Sequence, residues 1–250
     1  MRNLPGRMLA LLLAAALLGA CATTESRRLH YSLTAEPVRP FPTRLLLLPI
    51  DIKAHELTAG GLTEEVPAWS AQAHDNLLRA LAQFAAADGR FEFTPLAELP
   101  GERGAAVREH VALYNAVAGA AYTLPQGGGE AWRHKRERFD YGIGPGLAFL
   151  REHADAQAAL LVVGEDYISS SGRKAAAVAA ALVGVGIPMG FSYLTAGIVD
   201  LESGDLLWFD LSASYAARDL RRYEDVSALL AQVFASLPGT PPATGKDGLR

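Results

Sequence analysis

One cysteine stands in 250 residues, at position 21, so no disulfide can form within the chain and no group of cysteines can hold zinc. Positive charge is also scarce: 23 basic side chains meet 27 acidic ones, a formal charge of −4. Residues 1–20 contain Arg2 and Arg7 but no acid, so the remainder carries 21 basic and 27 acidic groups, or −6. That balance gives no support to nucleic acid as a partner. Catalytic signatures are missing too. No G-x-S-x-G occurs, and His55-Glu56 lacks the second histidine of H-E-x-x-H. Ser171-Gly-Arg-Lys174 fits the S-x-x-K of penicillin-recognising enzymes, but the S-D-N and K-T-G elements that activate the serine and bind a carboxylate occur nowhere. The six histidines are spread singly, as surface and capping residues usually are. The sequence therefore specifies neither an enzymatic activity nor a cofactor.

What is present begins at the N-terminus. Arg2 and Arg7 precede an uncharged apolar core over residues 8–18, followed by Gly19-Ala20-Cys21, the pattern of a secretory signal. Eleven apolar residues fall short of the ~20 that a spanning helix needs. Cysteine directly after Leu18-Gly19-Ala20 resembles the lipobox of bacterial lipoproteins. That resemblance implies cleavage before Cys21, acylation of its thiol and of the new amine, and three acyl chains in all. A single chain holds a protein only marginally, whereas two or more anchor it stably. Ala22 stands where an aspartate commonly retains such proteins at the inner membrane, so the expected location is the outer membrane, facing the periplasm. Lipidation would consume the only thiol.

The expected organisation is a signal peptide over 1–20, a lipidated Cys21 with an extended tether over 21–43, one α/β domain over 44–237 and a disordered tail over 238–250. Pro37, Pro40 and Pro42 keep the tether from forming a helix. Arg44-Leu-Leu-Leu-Leu-Pro-Ile50 is too short for a helix and reads as a strand covered on both faces, with Pro49 at its end or at a bulge. Residues 51–57 lead to a turn at Gly60-Gly61. Trp69, Ala73, Leu77, Ala80, Leu81 and Phe84 mark one face of a helix that starts near Pro67 and stops at Asp88-Gly89. A short strand is expected over 91–96 and a second helix over 104–118. Residues 124–146 read as the least structured part; their run Arg133-His-Lys-Arg-Glu-Arg138 is either a solvated connector or a patch for lipid phosphates or an anionic glycan. The glycine-rich turn Tyr141-Gly-Ile-Gly-Pro-Gly146 opens a helix over 147–154, without the preceding strand that a phosphate-binding loop requires.

Ala158-Ala-Leu-Leu-Val-Val163 is a second continuous apolar strand. Residues 175–199 carry no charge, but Gly184, Gly186, Pro188, Gly190 and Gly197 interrupt them and no polar residue alternates over 175–185. Neither a spanning helix nor a porin-type hairpin fits that composition. The expectation is a helix over 175–183 packed on the sheet, a turn over 184–190 and a strand over 193–201. Ser203-Gly204 joins that strand to another in a hairpin, whose second strand should bury Leu207, Phe209 and Leu211 and leave Trp208, Asp210 and Ser212 on a largely polar face. An amphipathic helix over 223–237 follows, with Glu224 and Asp225 in its first turn and Val226, Leu229, Val233 and Leu237 inward.

The hairpin Ile198-Val-Asp-Leu-Glu-Ser-Gly-Asp-Leu-Leu-Trp-Phe209, behind residues 158–166 and Ser170-Ser-Gly-Arg173, resembles envelope lipoproteins whose domain is related to the TolB N-terminal domain and the curli secretion lipoprotein. Leu46-Leu-Leu-Pro49 and the stretch from Thr58-Ala-Gly-Gly61 to Trp69 are similar to a subgroup of proteobacterial envelope lipoproteins. The Val-Asp-x-x-x-Gly-x-x-x-Trp hairpin recurs in envelope families with different roles. The resemblance implies a mixed α/β domain with helices packed on a sheet, and it carries no enzymatic motif. The functional expectation is a non-enzymatic binding or assembly module, held to the membrane by acyl chains and facing a protein partner, with homo-oligomerisation open. A subunit of an oligomeric export channel and an envelope hydrolase are the alternatives. Three carboxylates form a candidate metal site: Asp51 follows the first apolar strand, and Glu165 and Asp166 follow the second. Parallel neighbouring strands would bring them together for calcium or magnesium.

Overall fold

A computed structural model describes residues 28–34, 40–127, 130–214 and 218–238. The expected signal peptide, Cys21 and, apart from Pro238, the expected tail lie outside the described residues.

The architecture grows from one central strand, β6 (Ala158–Ser169), which extends the expected apolar run by six residues. It pairs antiparallel with β7 (Gly190–Asp200), and β7 in turn pairs antiparallel with β8 (Leu206–Ser214). On its other side β6 lies parallel first to β2 (Arg44–Leu47) and then to β3 (Asp51–Leu57). Leu48, Pro49 and Ile50 form the step between those two strands, where the missing N–H of Pro49 interrupts no ladder. Outside β2 runs β5 (Glu92–Pro95), parallel to it, and β4 (Thr63–Glu65) folds back on β3. With β1 (Arg28–Leu29) on β8, the described strands make an eight-stranded mixed sheet.

Alternation along these strands feeds a core on each face. One face carries Leu45, Leu47, Leu160, Val162, Leu194, Ala196 and Ile198, beneath α1 (Pro67–Asp88) and the helix over Tyr223–Phe234. Helix α1 starts on Pro67 and stops where Gly89 adopts a left-handed φ of 70°, as the sequence signals predict. It buries Ala73, Leu77, Ala80 and Leu81. The opposite face carries Leu46, Ala159, Leu161, Val163 and Phe209, beneath α2 (Gly101–Gly127) and a 3-10 turn at Pro145–Leu150. After these come the short helices α3 (Arg133–Glu137) and α4 (Arg151–Ala154), then α5 (Ser171–Ala181), which makes the C-terminal helix α6.

Five expectations need correction. The region expected to be an extended tether contributes β1 and a 3-10 turn at Tyr31–Leu33, because Arg28 and Leu29 complete the edge of β8 and His30 is buried beside them. The region read as the least structured buries Phe139, Tyr141 and Ile143 at alternate positions, while Arg133, Glu137 and Arg138 are exposed. The helix expected over 147–154 is a 3-10 turn followed by the four residues of α4. In β8 a bulge opposite Ile198 and Val199 places Leu207 and Trp208 on one face, so Trp208 is fully buried rather than on a polar side. Helix α5 forms, with Ser170 capping Arg173 N, but it is not packed on the sheet: Ala177 is its one buried residue. Alanine supplies helix propensity without enough apolar surface to dock.

Candidate functional site

The three carboxylates named from the sequence do not converge. Asp51 lies opposite Val163 in the parallel ladder, and Lys53, not Asp51, lies opposite Glu165. Because side chains alternate, Glu165 and Asp166 leave β6 on opposite faces. Asp166 is fully buried and accepts hydrogen bonds from Ser192 Oγ at 2.6 Å and Leu220 N at 2.7 Å. Burial raises its pKa, and the two hydrogen bonds only partly oppose that shift. Its role is to tie β6 and β7 to the segment before α6. Among the described residues, no group of three or more His, Cys, Asp or Glu is placed to hold a metal ion.

Glu165 belongs to a different constellation. On its face helix α2 packs Val107, Val111, Tyr114 and Ala118 against the sheet, whereas Glu165, Tyr167, Phe191 and Tyr193 stay half-buried near the terminus of β6, an end left unroofed among the described residues. There Glu165 accepts a hydrogen bond from the Tyr167 hydroxyl, and Tyr193 is its neighbour across the β6–β7 ladder, near enough for the carboxylate to act on its phenol. Burial first, and then the Glu165 carboxylate, push Tyr193 up to about 12; the same causes raise Tyr167. Both phenols therefore stay protonated and donate at any physiological pH. His55 stacks on Tyr167 with ring centroids 4.8 Å apart and planes 12° apart. Its Nε2 is buried and has no hydrogen-bond partner among the described residues. Lys53 and Asp51 flank this group 3.7 Å apart.

Beside the acidic centre lies a cleft of about 270 Å³ between α2 and the sheet, lined by Asn115, Gly119, Tyr122, Phe191, Tyr193 and Leu211 among others. Gly119 faces open space, since a Cβ there would meet nothing within 4 Å. Thr195 also lines it, and Tyr114, fully buried over Gly197, places its hydroxyl 3.0 Å from Thr195 Oγ1. Thr195 Oγ1 in turn donates to the Asp210 carbonyl at 3.2 Å. The combination of aromatic walls, an apolar trough and one fixed negative centre suits recognition. Ser171 and Lys174 stand exposed on the first turn of α5, away from this cleft. Sequence reading picked out Glu165 but not its tyrosine partners. The alternation of Tyr193 with Phe191 and of Tyr167 with Glu165 was visible, whereas the pairing that joins them was not.

The site is thus an open sheet end with an adjoining cleft on an α/β domain. No family model matches the chain, and no curated protein matches its sequence. Among solved structures it is similar to a PelC dodecamer from Paraburkholderia phytofirmans that carries one leucine-to-methionine substitution, with 10% identity and a TM-score of 0.35 over 85% of this chain and 97% of that one. A second PelC dodecamer structure from the same organism gives 11% identity and 0.32, over 84% and 97%. The LpoB C-terminal domain from Salmonella enterica gives 13% and 0.27, over 73% and 88%. Scores this low transfer no residue and no role.

Proposed function

We propose that this chain is an outer-membrane lipoprotein, acylated on Cys21, whose periplasmic α/β domain binds another envelope protein without catalysing a reaction. The observation that carries the binding role is the unroofed face: Tyr167, Phe191 and Tyr193 beside Glu165, continuous with the cleft under α2. Tyrosine supplies large, stiff contact area at small entropic cost, and the Tyr167 hydroxyl holds the carboxylate in position. A partner surface offering apolar side chains for the cleft and a basic group for Glu165 and Asp51 fits this face. The membrane role rests on the lipobox-like Leu18-Gly19-Ala20-Cys21. No described helix is long and apolar enough to cross a membrane.

The test is site-specific photo-crosslinking in the native envelope. A photoreactive residue at the exposed rim position Ala213 should capture one discrete partner, and Tyr193→Ala should abolish capture while leaving the level of the protein unchanged. The same group at exposed Ala86 on α1 should capture nothing comparable. Equal capture from both positions, insensitive to Tyr193→Ala, would remove this face as the binding site.

A further inference from the structure

The end of the sheet where β6 terminates carries a second feature, unrelated to the cleft. Leu182 is 85% exposed, Val183 77%, Val178 67% and Val185 54%, all within the uncharged stretch over 175–199. They sit on an ordered scaffold. Val183 N and Val185 N both donate to the Ala180 carbonyl, Gly184 N donates to the Ala181 carbonyl, and Gly184 takes a φ of +80°, closing α5 in a tight cap. The guanidinium of Arg173 then clamps the returning chain, donating to the Pro188 carbonyl at 3.1 Å from one nitrogen and to the Thr58 carbonyl at 3.5 Å from another. Thr58 belongs to the β3–β4 turn, whose Leu62 is 74% exposed. Two neighbouring turns therefore project bare aliphatic side chains from the same end of the molecule, and Lys174 stands exposed at their base.

An ordered apolar tip of this size needs a cover. Its shape is convex, made by a helix end and a hairpin tip, where a protein-binding groove would be concave. Leucine and valine with no acid over 175–199, and a lysine one helical turn behind Val178, is the composition of a segment seated at the boundary between headgroups and acyl chains, with Glu64 and Glu65 exposed on β4 beyond Leu62. Chain direction supports the same end. Strand β1 is antiparallel to β8, with Arg28 opposite Phe209, so the chain enters β1 from the end where β8 finishes at Ser214. Phe209 lies five residues short of Ser214, a rise of about 17 Å at ~3.4 Å per residue. Cys21 precedes Arg28 by seven residues, a reach of up to about 24 Å at the same rise. The segment is thus long enough to reach the sheet end at which both β8 and β6 terminate.

We propose that the tip formed by Leu182, Val183 and Val185, with Leu62 beside it, inserts into the interfacial layer of the lipid bilayer next to the acylated Cys21. The helix end thereby supplies a second contact that fixes how the domain stands on the membrane, with β6 directed toward the lipid. This inference rests on the anchoring reading of Cys21, and the test separates the two.

Mature protein reconstituted in phosphatidylethanolamine and phosphatidylglycerol vesicles carries an environment-sensitive fluorophore on Leu182→Cys, or on Ala86→Cys as the control. An acylated Cys21 takes no label, so each variant is labelled once. Label uptake by the unsubstituted chain would instead report failure of the anchoring reading. With Cys21 acylated, emission from position 182 should shift to the blue and be quenched by shallow nitroxide lipids about threefold or more above position 86. Equal weak quenching at both positions overturns the proposal. So does a blue shift at 182 that disappears when the protein is diluted at constant lipid, since that marks contact between copies of the chain.

Discussion

Gly197→Ala is the substitution in which the packing of the site can be worked through furthest. A Cβ built at Gly197 would lie 2.5 Å from Tyr114 Cε2, 2.8 Å from its hydroxyl and 2.9 Å from Leu206 Cδ1. Gly197 is buried in the middle of β7, and Tyr114 and Leu206 are fully buried. The ring has no open space to enter and must move off its rotamer, which for one inserted methyl in a packed core costs about 1–3 kcal/mol. Displacing the ring also breaks its hydroxyl contact with Thr195, a further ~0.5–1.5 kcal/mol for a buried pair. The expected loss is about 2–4 kcal/mol, or roughly 4–16 °C in Tm for a domain of this size. Urea unfolding of the acyl-free mature chain, followed by the fluorescence of buried Trp208, measures it. Tyr114→Ala should be strongly destabilising by itself through the cavity it leaves, by about 3–5 kcal/mol. In that background Gly197→Ala should cost almost nothing, because the atoms it collides with are gone. A Gly197→Ala protein within about 0.5 kcal/mol of the original, or two substitutions whose effects simply add, would refute the packing of Tyr114 on Gly197.

Asp166→Ala leaves Leu220 N and Ser192 Oγ without their acceptor in a buried setting and should cost about 2–4 kcal/mol, whereas Asp166→Asn keeps one acceptor and one donor and should cost about 1 kcal/mol. Denaturant midpoints of the two variants check the order. The raised pKa of Asp166 means that the folded state holds its proton more tightly than the unfolded chain, so this group subtracts stability as pH rises from the ordinary aspartate value through its elevated one. Asp166→Asn should remove that falling limb from a stability-versus-pH curve, and an unchanged limb would assign it to another group. Asp88 behaves oppositely: hydrogen bonds from Arg90 lower its pKa, so its contribution is complete above the ordinary aspartate range and is lost as pH falls through the lowered value. Arg90→Ala should therefore flatten the acid limb of the same curve.

Most of the fold could be read from the sequence because its signals are local. Pro67 and Gly89 bound a long amphipathic helix, two continuous apolar runs form the inner parallel strands, and Ser203-Gly204 marks the hairpin turn. The errors share one physical origin, since each concerns a partner distant in sequence. Trp208 looked outward until a bulge placed it against α6, where its ring meets Phe234 at 5.9 Å. Phe139, Tyr141 and Ile143 looked like loop residues because the charges beside them masked an alternation that the second core uses. The helix read over 175–183 forms, running from Ser171 to Ala181 with the turn starting at Leu182, but propensity is a property of the segment alone, whereas docking needs a complementary surface, and only Ala177 of this helix is buried. The site follows the same division. Glu165 was marked by its position after an apolar strand, but strand alternation sends Asp166 to the other face, and the ladder brings Tyr193 to Glu165 instead. An acidic strand end that suggested a metal site is a carboxylate bonded by Tyr167 with Tyr193 beside it.

The proposed function depends above all on acylation of Cys21, the step that would hold the domain at a membrane and give both the open face and the exposed tip their setting. The intact mass of the protein extracted from its native envelope tests this most directly. The expected result is a chain beginning at Cys21 and carrying the mass of a diacylglyceryl group and one further acyl chain. A mature chain that retains residues 1–20, begins elsewhere, or holds Cys21 as a free thiol would contradict the account.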